Sequence, residues 1–169
     1  MRIAVLTISD AGARGERADT SGDSAVMWAT WQSATVVARA VVPDDSVAIV
    51  RQLLAWCDGN VADLVLTTGG TGLSPRDITP EATRAVIERE APGIAERIRS
   101  VTGVSFPRAA LGRGIAGVRA KTLIVNLPGS TSGVLESLAA IEPIVAHAVD
   151  IVRDAPTDHS GVSNDDESE

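Results

Sequence analysis

At 169 residues, 44% of them hydrophobic and 22% charged, the chain suits one soluble domain and is too short for two full ones. It is too polar for a membrane protein, and no stretch approaches the roughly 18 apolar residues of a spanning helix, so a cytoplasmic protein without a targeting segment is expected. The formal charge of −7 comes mostly from the end of the chain, where six acids and no Lys or Arg follow Arg153; the remaining Arg side chains are scattered, with no basic stripe or interleaved aromatics, which argues against nucleic-acid binding.

In chain order, Arg2 to Ile8 is a short, almost continuously apolar run, as a strand buried on both faces should be. The polar loop Ser9 to Gly22 follows, and Ser21 to Gln32 reads as a helix. A second strand runs from Thr35 to Val42, and Pro43-Asp44-Asp45 leads into a helix from Asp45 to Cys57 with Val47, Val50, Leu54 and Cys57 along one face. Ala62 to Thr67 is a third strand, followed by a glycine-rich loop to Asp77. At Thr79 a helix is expected to open, with Pro80 suited to the first helical position and Glu81 to the positive end of the helix dipole. It should run to Glu90 and stop at Pro92-Gly93.

A further helix is expected over Ile94 to Val101, a fourth strand over Thr122 to Val125, then the loop Asn126 to Ser132. The last helix, Gly133 to Val152, carries an expected break at Glu142-Pro143. Alternating strands and helices predict a three-layer α/β/α fold with a mainly parallel sheet, formed by residues 1–153. Residues 154–169 read as a disordered acidic tail. Four loops then gather at the carboxyl ends of the strands, where such sheets bind ligands.

The richest of these loops is Thr67-Thr68-Gly69-Gly70-Thr71-Gly72-Leu73-Ser74-Pro75-Arg76-Asp77. Its glycines let the backbone approach an anion and point N–H groups at it, although a plain tight turn uses glycine equally well. No Gly-Lys-Ser/Thr follows and a third dinucleotide-type glycine is missing, so neither common nucleotide fingerprint applies. Asp44 and Asp77 fit metal ligation but also sit where helix caps are common. Ser21 and Gly22 lie at a helix start that could hold phosphate, or that is only capped. Asn126-Leu127-Pro128-Gly129 fits either a ligand-lining loop or a turn closing a strand. Cys57, Trp28, Trp31 and Trp56 read as packing or subunit contacts, and neither His147 nor His159 has triad spacing.

Gly69-Gly70-Thr71-Gly72 followed by Arg76-Asp77 and Thr79-Pro80-Glu81-Ala82 closely resembles the signature of the MogA/MoaB family, shared with the gephyrin G domain and molybdopterin-binding domains generally. Thr7-Ile8-Ser9-Asp10, Asp19-Thr20-Ser21-Gly22-Asp23, Val42-Pro43-Asp44-Asp45 and Leu123 to Ser130 resemble further blocks in family order. Together they cover about Arg2 to Arg153. The resemblance implies transfer of the adenylyl group of ATP to molybdopterin with Mg²⁺. Asp44 and Asp77 would be the catalytic and metal-binding acids. Asp10, Ser21, Gly22, Thr68, Gly69, Gly70, Thr71, Gly72, Arg113, Asn126, Pro128 and Gly129 would bind substrate.

The resemblance also implies a homotrimer or hexamer and a molybdate-inserting enzyme as partner. Gly112 stands where the family commonly has serine, which removes one phosphate contact that Arg113 or Arg119 could replace. That departure keeps open a second reading, a molybdopterin carrier without transferase activity.

Overall fold

The computed structural model describes residues 1–154. The expected disorder of the acidic tail, and His159 with it, falls on residues 155–169 and lies outside the described residues. The elements are β1 (Arg2–Ile8), α1 (Asp10–Ala13), α2 (Thr20–Trp31), β2 (Thr35–Val42), α3 (Ser46–Asp58), β3 (Leu64–Thr68), α4 (Thr79–Arg84), β4 (Arg89–Glu90), α5 (Pro92–Ser105), β5 (Ala116–Arg119), β6 (Thr122–Leu127) and α6 (Thr131–Val152). A 3₁₀ turn occupies Pro107–Leu111.

One six-stranded sheet runs in the order β2-β1-β3-β6-β5-β4. β2, β1, β3 and β6 are parallel, while β5 is antiparallel to β6 and β4 antiparallel to β5. Successive side chains of a strand face opposite sides, and both sides of β1, β3 and β6 are covered, which explains their apolar runs. β2, expected to be buried on both faces, is instead an edge strand with Thr35, Val37 and Arg39 exposed and no residue fully buried. Ile3, Val5, Leu64 and Leu66 pack with Trp28, Leu138 and Ile141 under α2, α5 and α6. Ala4, Leu6, Val65 and Ile124 pack with Ile49, Leu53 and Val86 under α3 and the α4 segment. The three-layer α/β/α expectation therefore holds, and among the described residues no helix is long and apolar enough to cross a membrane.

Several local expectations change. α3 buries Ile49, Leu53, Trp56 and Cys57, with Val47 exposed; the i, i+4, i+7 spacing is shared by two neighbouring stripes, and contact with the sheet selects one. Burial pushes the Cys57 thiol up to about 11, which leaves it inert as a nucleophile. Trp28 and Trp56 are core residues, whereas Trp31 is exposed.

The helix expected from Thr79 to Glu90 ends at Arg84. Beyond it, Glu88 N donates to Val118 O at 2.9 Å and Ala91 N to Ala116 O at 2.8 Å, so a distant strand replaces helical partners. That partner, β5, was not expected: it is short and contains Gly117, and its turn into β6 uses Ala120 at φ 50° without a glycine signal. Pro92 begins α5. The expected break at Pro143 does not occur, and α6 continues through it. Leu138, Ile141, Val145 and Val149 pack on both sides of the proline, which offsets the one missing hydrogen bond.

At the amino ends of the strands, Asp63 ties three elements together. Its Oδ2 accepts from the Arg2 backbone N at 2.7 Å, and Oδ1 meets the guanidinium groups of Arg2 at 2.7 Å and Arg153 at 2.8 Å. Burial alone would raise its pKa, but these bonds and charges outweigh it and hold the carboxyl below the usual range. A depressed pKa contributes stability above the unfolded-state value and loses it as pH falls toward the folded value. Asp63→Asn is accordingly expected to cost about 2 kcal/mol at pH 7. In urea unfolding the gap between variant and wild type should persist down to about pH 4 and narrow below it.

Candidate functional site

From β1 the chain turns by way of α2 to β2 on one side, and from β2 it returns by way of α3 to β3 on the other. Beyond the carboxyl ends of β1 and β3 their connections diverge, and a crevice opens where doubly wound sheets bind ligands. The glycine loop follows β3 at this point. Gly69 and Gly70 have φ 98° and 63°, the region in which a side chain is strained. A Cβ on Gly69 would stand 2.3 Å from the Ile8 carbonyl oxygen, and one on Gly70 would stand 2.4 Å from Thr79 Oγ1.

Thr79 holds the loop from behind, with Oγ1 donating to Gly69 O at 2.9 Å and N to Gly70 O at 3.0 Å. The N–H groups of Gly70, Thr71 and Gly72 have no acceptor among the described residues. Such a run of unpaired backbone donors is what an anion cradle requires.

Two clefts meet at this loop, sharing Gly70 and Gly129. The larger, about 350 Å³, has Thr71, Gly72, Asp77, Asn126 and Pro128 on one side and Ile98, Arg99, Thr102 and Phe106 on the other, with Gly112 also lining it. The smaller, about 220 Å³, is lined by Ser9, Arg17, Asp19, Ser21, Asp44 and Gly69, among others. In the smaller cleft the first-turn N–H groups of Thr20 and Ser21 lack helical partners and lie at the positive end of the twelve-residue α2.

Asp44 and Asp77 flank the cradle. Their capping alternative does not apply. The α3 cap is Asp45, which accepts from Ala48 N at 2.8 Å, and α4 has no side-chain cap. Asp44 Oδ2 instead accepts from Asp10 N at 2.9 Å, and Asp77 Oδ2 from Ser74 N at 2.8 Å. The second oxygen of each carboxylate has no hydrogen bond among the described residues. A Cβ on Gly70 would lie 3.5 Å from Asp44 Oδ1 and one on Gly72 2.9 Å from Asp77 Oδ2, so each acid abuts the loop.

Among the described residues, no group of three or more His, Cys, Asp or Glu side chains forms a closed metal cage. Two carboxylates with unspent oxygens suit a hard cation that completes its shell with water and phosphate oxygens, as Mg²⁺ does.

Other expected residues spend their polar groups holding these walls in place. Thr68 is buried, and its Oγ1 donates to Pro128 O at 2.7 Å, joining the ends of β3 and β6. Asn126 donates to Thr67 Oγ1 at 2.8 Å and Thr83 Oγ1 at 2.9 Å, so both amide hydrogens are spent. Arg113 lines neither cleft. Its Nε donates to Gly72 O at 2.7 Å, and the rest of its guanidinium engages Asp77 O and Glu81. Gly22 N is held by Asp19 at 2.9 Å, and Asp10 lines neither cleft. Arg119 cannot replace a phosphate contact. β5 runs antiparallel, which carries Arg119 to the opposite rim, where it pairs with Asp58 at 2.7 Å.

Asp19 is a residue that motif reading missed as an anchor. Its carboxylate caps α2 and also accepts from Thr7 Oγ1 at 2.8 Å and Arg39 at 2.7 Å. Burial opposes its ionisation, but Arg39, Gly22 and Thr7 together lower its pKa. Its place just before the helix start was the available signal. Arg99 and Phe106 gave none, because only packing of α5 against α6 brings them to the cleft.

A doubly wound α/β domain with a glycine cradle between two acids at its switch point is the class these features define. Residues 4–147 match the family described as "Probable molybdopterin binding domain", and the chain belongs to that family. It is 38% identical to a molybdopterin adenylyltransferase of Helicobacter pylori, covering 90% of this chain and 88% of that protein. It is 34% identical to the molybdopterin adenylyltransferase of Escherichia coli K12, over 88% of this chain and 80% of that one. It also matches the molybdenum cofactor synthesis protein cinnamon of Drosophila melanogaster at 40% identity over 89% of this chain, but spans only 25% of that longer protein. Among solved structures, the molybdopterin biosynthesis enzyme MoaB of Thermus thermophilus superposes with a TM-score of 0.87 at 48% identity, over 92% of this chain and 98% of that one.

The loop geometry sets a test of folding. Gly69→Ala should destabilise the protein by at least about 2 kcal/mol in urea unfolding, since a positive φ and a backbone clash both oppose the methyl. Gly103 lies inside α5 with nothing within 4 Å of a new Cβ. Gly103→Ala should therefore stabilise by about 0.5–1 kcal/mol.

Proposed function

We propose that the protein is a molybdopterin adenylyltransferase of molybdenum cofactor biosynthesis. The terminal phosphate of molybdopterin attacks the α-phosphorus of ATP, the bond to the β-phosphate bridging oxygen breaks, and pyrophosphate leaves as adenylyl-molybdopterin forms. The observation that carries this reading is the pair of acids, Asp44 and Asp77, on either side of one glycine cradle, each with an oxygen unspent. The family membership and the printed activity of the Helicobacter and Escherichia relatives support it.

The chemistry fits the residues. A phosphate monoester has a second pKa of roughly 6 and is largely ionised at neutral pH, so the nucleophile needs positioning and charge neutralisation more than a strong base. In this reading the N–H groups of Gly70, Thr71 and Gly72 and those opening α2 near Ser21 hold phosphate oxygens. Ile98 and Phe106 give the larger cleft an apolar wall suited to a planar ring, with Pro128 and Gly129 opposite. Asp44 and Asp77 would hold Mg²⁺, which when bound neutralises phosphate charge and stabilises the leaving pyrophosphate. Thr68, Asn126 and Arg113 keep the walls in register. Arg17, on the smaller cleft, is placed to meet a polyphosphate.

The same reading takes the chain as a cytoplasmic homotrimer or a hexamer built from it, whose product passes to a molybdate-inserting enzyme. Apolar side chains exposed on the described surface, Trp31 and Val104 among them, are what a subunit contact would cover.

Single-turnover reaction of the purified protein with molybdopterin, α-labelled ATP and Mg²⁺ is expected to yield labelled adenylyl-molybdopterin and pyrophosphate in equal amounts. Asp77→Asn should slow that turnover by about 10²- to 10³-fold. Molybdopterin binding without pyrophosphate release by the wild type would reject the proposal in favour of a carrier.

A further inference from the structure

We infer that Asp10 is a positioning residue that couples the two acidic loops, fixing Asp44 relative to Asp77 without itself touching substrate. β1 and β2 end side by side, with Ile8 opposite Val42 and Ser9 N donating to Val42 O at 2.9 Å. Where that ladder stops, side chains continue it: Asp10 N donates to Asp44 Oδ2 at 2.9 Å, and Asp44 N donates to Asp10 Oδ1 at 3.0 Å. Each carboxylate thus holds the other residue's backbone. Asp44 is left with one rotamer-fixing bond on Oδ2, while Oδ1 remains on the side of Gly70.

The other oxygen of Asp10 reaches across to the third loop. Asp10 Oδ2 pairs with the Arg76 guanidinium, and Arg76 immediately precedes Asp77, whose Oδ2 is pinned by Ser74 N within the same turn. A single carboxylate therefore joins the backbone of one acid to the loop that carries the other. The ion pair is solvent-accessible, with Arg76 65% and Asp10 34% exposed, so it contributes little to global stability.

Direct substrate contact is the weaker role for Asp10. Both of its oxygens have partners, it lines neither cleft, and its negative charge would repel a polyphosphate. Its effect on turnover comes from geometry, because small misplacement of reacting groups is costly. The catalytic half of this inference rests on the adenylyl-transfer reading, whereas the clamp itself does not.

The test uses the full chain and separates the two bonds. Asp10→Ala removes both, Asp10→Asn keeps an oxygen for Asp44 N while losing the pair with Arg76, and Arg76→Ala removes only that pair. With molybdopterin, ATP and Mg²⁺, Asp10→Ala should lower kcat by about tenfold or more, with KM for ATP within about threefold of wild type. Asp10→Asn and Arg76→Ala should lower kcat less, and the two together no further than either alone, since they break one link. Independently of turnover, hydrogen exchange at the Asp44 amide should accelerate in Asp10→Ala and stay protected in Asp10→Asn.

A raised KM with unchanged kcat in Asp10→Ala would overturn the inference in favour of direct binding. Equal protection of the Asp44 amide in wild type and Asp10→Ala would overturn the clamp. If Asp10→Ala does not fold, unchanged kcat in both Asp10→Asn and Arg76→Ala decides against coupling. A wild type that releases no pyrophosphate removes the adenylyl-transfer reading, and the exchange measurement still decides the clamp.

Discussion

Four parallel strands end on one rim, and between β1 and β3 the connections leave in opposite directions. The rest of the site depends on that divergence. It leaves backbone donors at the carboxyl ends without covering helices and opens a crevice that loops from separate parts of the sequence can line. The opposite rim is treated differently: there Asp63 closes β1, β3 and the end of α6 into one charged knot. One end of the sheet is therefore sealed by paired charge, and the other presents unpaired donors and acceptors.

Holding an open rim in shape requires support that leaves the inner surface free. Thr79 and Arg113 grip the glycine loop through its carbonyl oxygens, so its N–H groups remain directed elsewhere. Thr68 and Asn126 do the same for the ends of β3 and β6, using up their own polar atoms on the scaffold. Asp19 fixes the start of α2 while Ser21 stays on the cleft. Several residues of the family-like blocks thus shape the site from behind, while others line it. The division follows from geometry: a donor already bonded to the scaffold has nothing left for a ligand.

Glycine has a different function at two kinds of position. Gly69 and Gly70 are required by their positive φ and by the approach of Ile8 O and Thr79, and Gly129 sits against Gly69, where a Cβ would come within 3.2 Å of its Cα. At Gly112 the surroundings are less demanding, with only Ala109 O within 3.2 Å of a new Cβ. A serine there would need its neighbour to give by a few tenths of an ångström. The departure from the family pattern is therefore small in its packing, on the cleft that Gly112 lines together with the glycine loop and Asp77.

Much of this was open to reading from the chain alone. Apolar runs at Arg2–Ile8 and Thr35–Val42 marked parallel strands to the residue; burial on both faces accounts for the first, whereas the second is the edge of the sheet and only half-buried. The glycine loop and its flanking acids stood out through their resemblance to a family signature; taken alone, the residues left a tight turn and helix caps as open alternatives. The tertiary structure decided what depended on distant partners. It drew Arg89 and Glu90 out of a helix to pair with β5, selected which stripe of α3 is buried, and carried α6 through Pro143. It also turned Asp44 away from capping toward Asp10, 34 positions earlier in the chain. Local pattern records what each segment can do with its own backbone and neighbours; which alternative is realised depends on long-range hydrogen bonds and packing, whose partners lie tens of residues away.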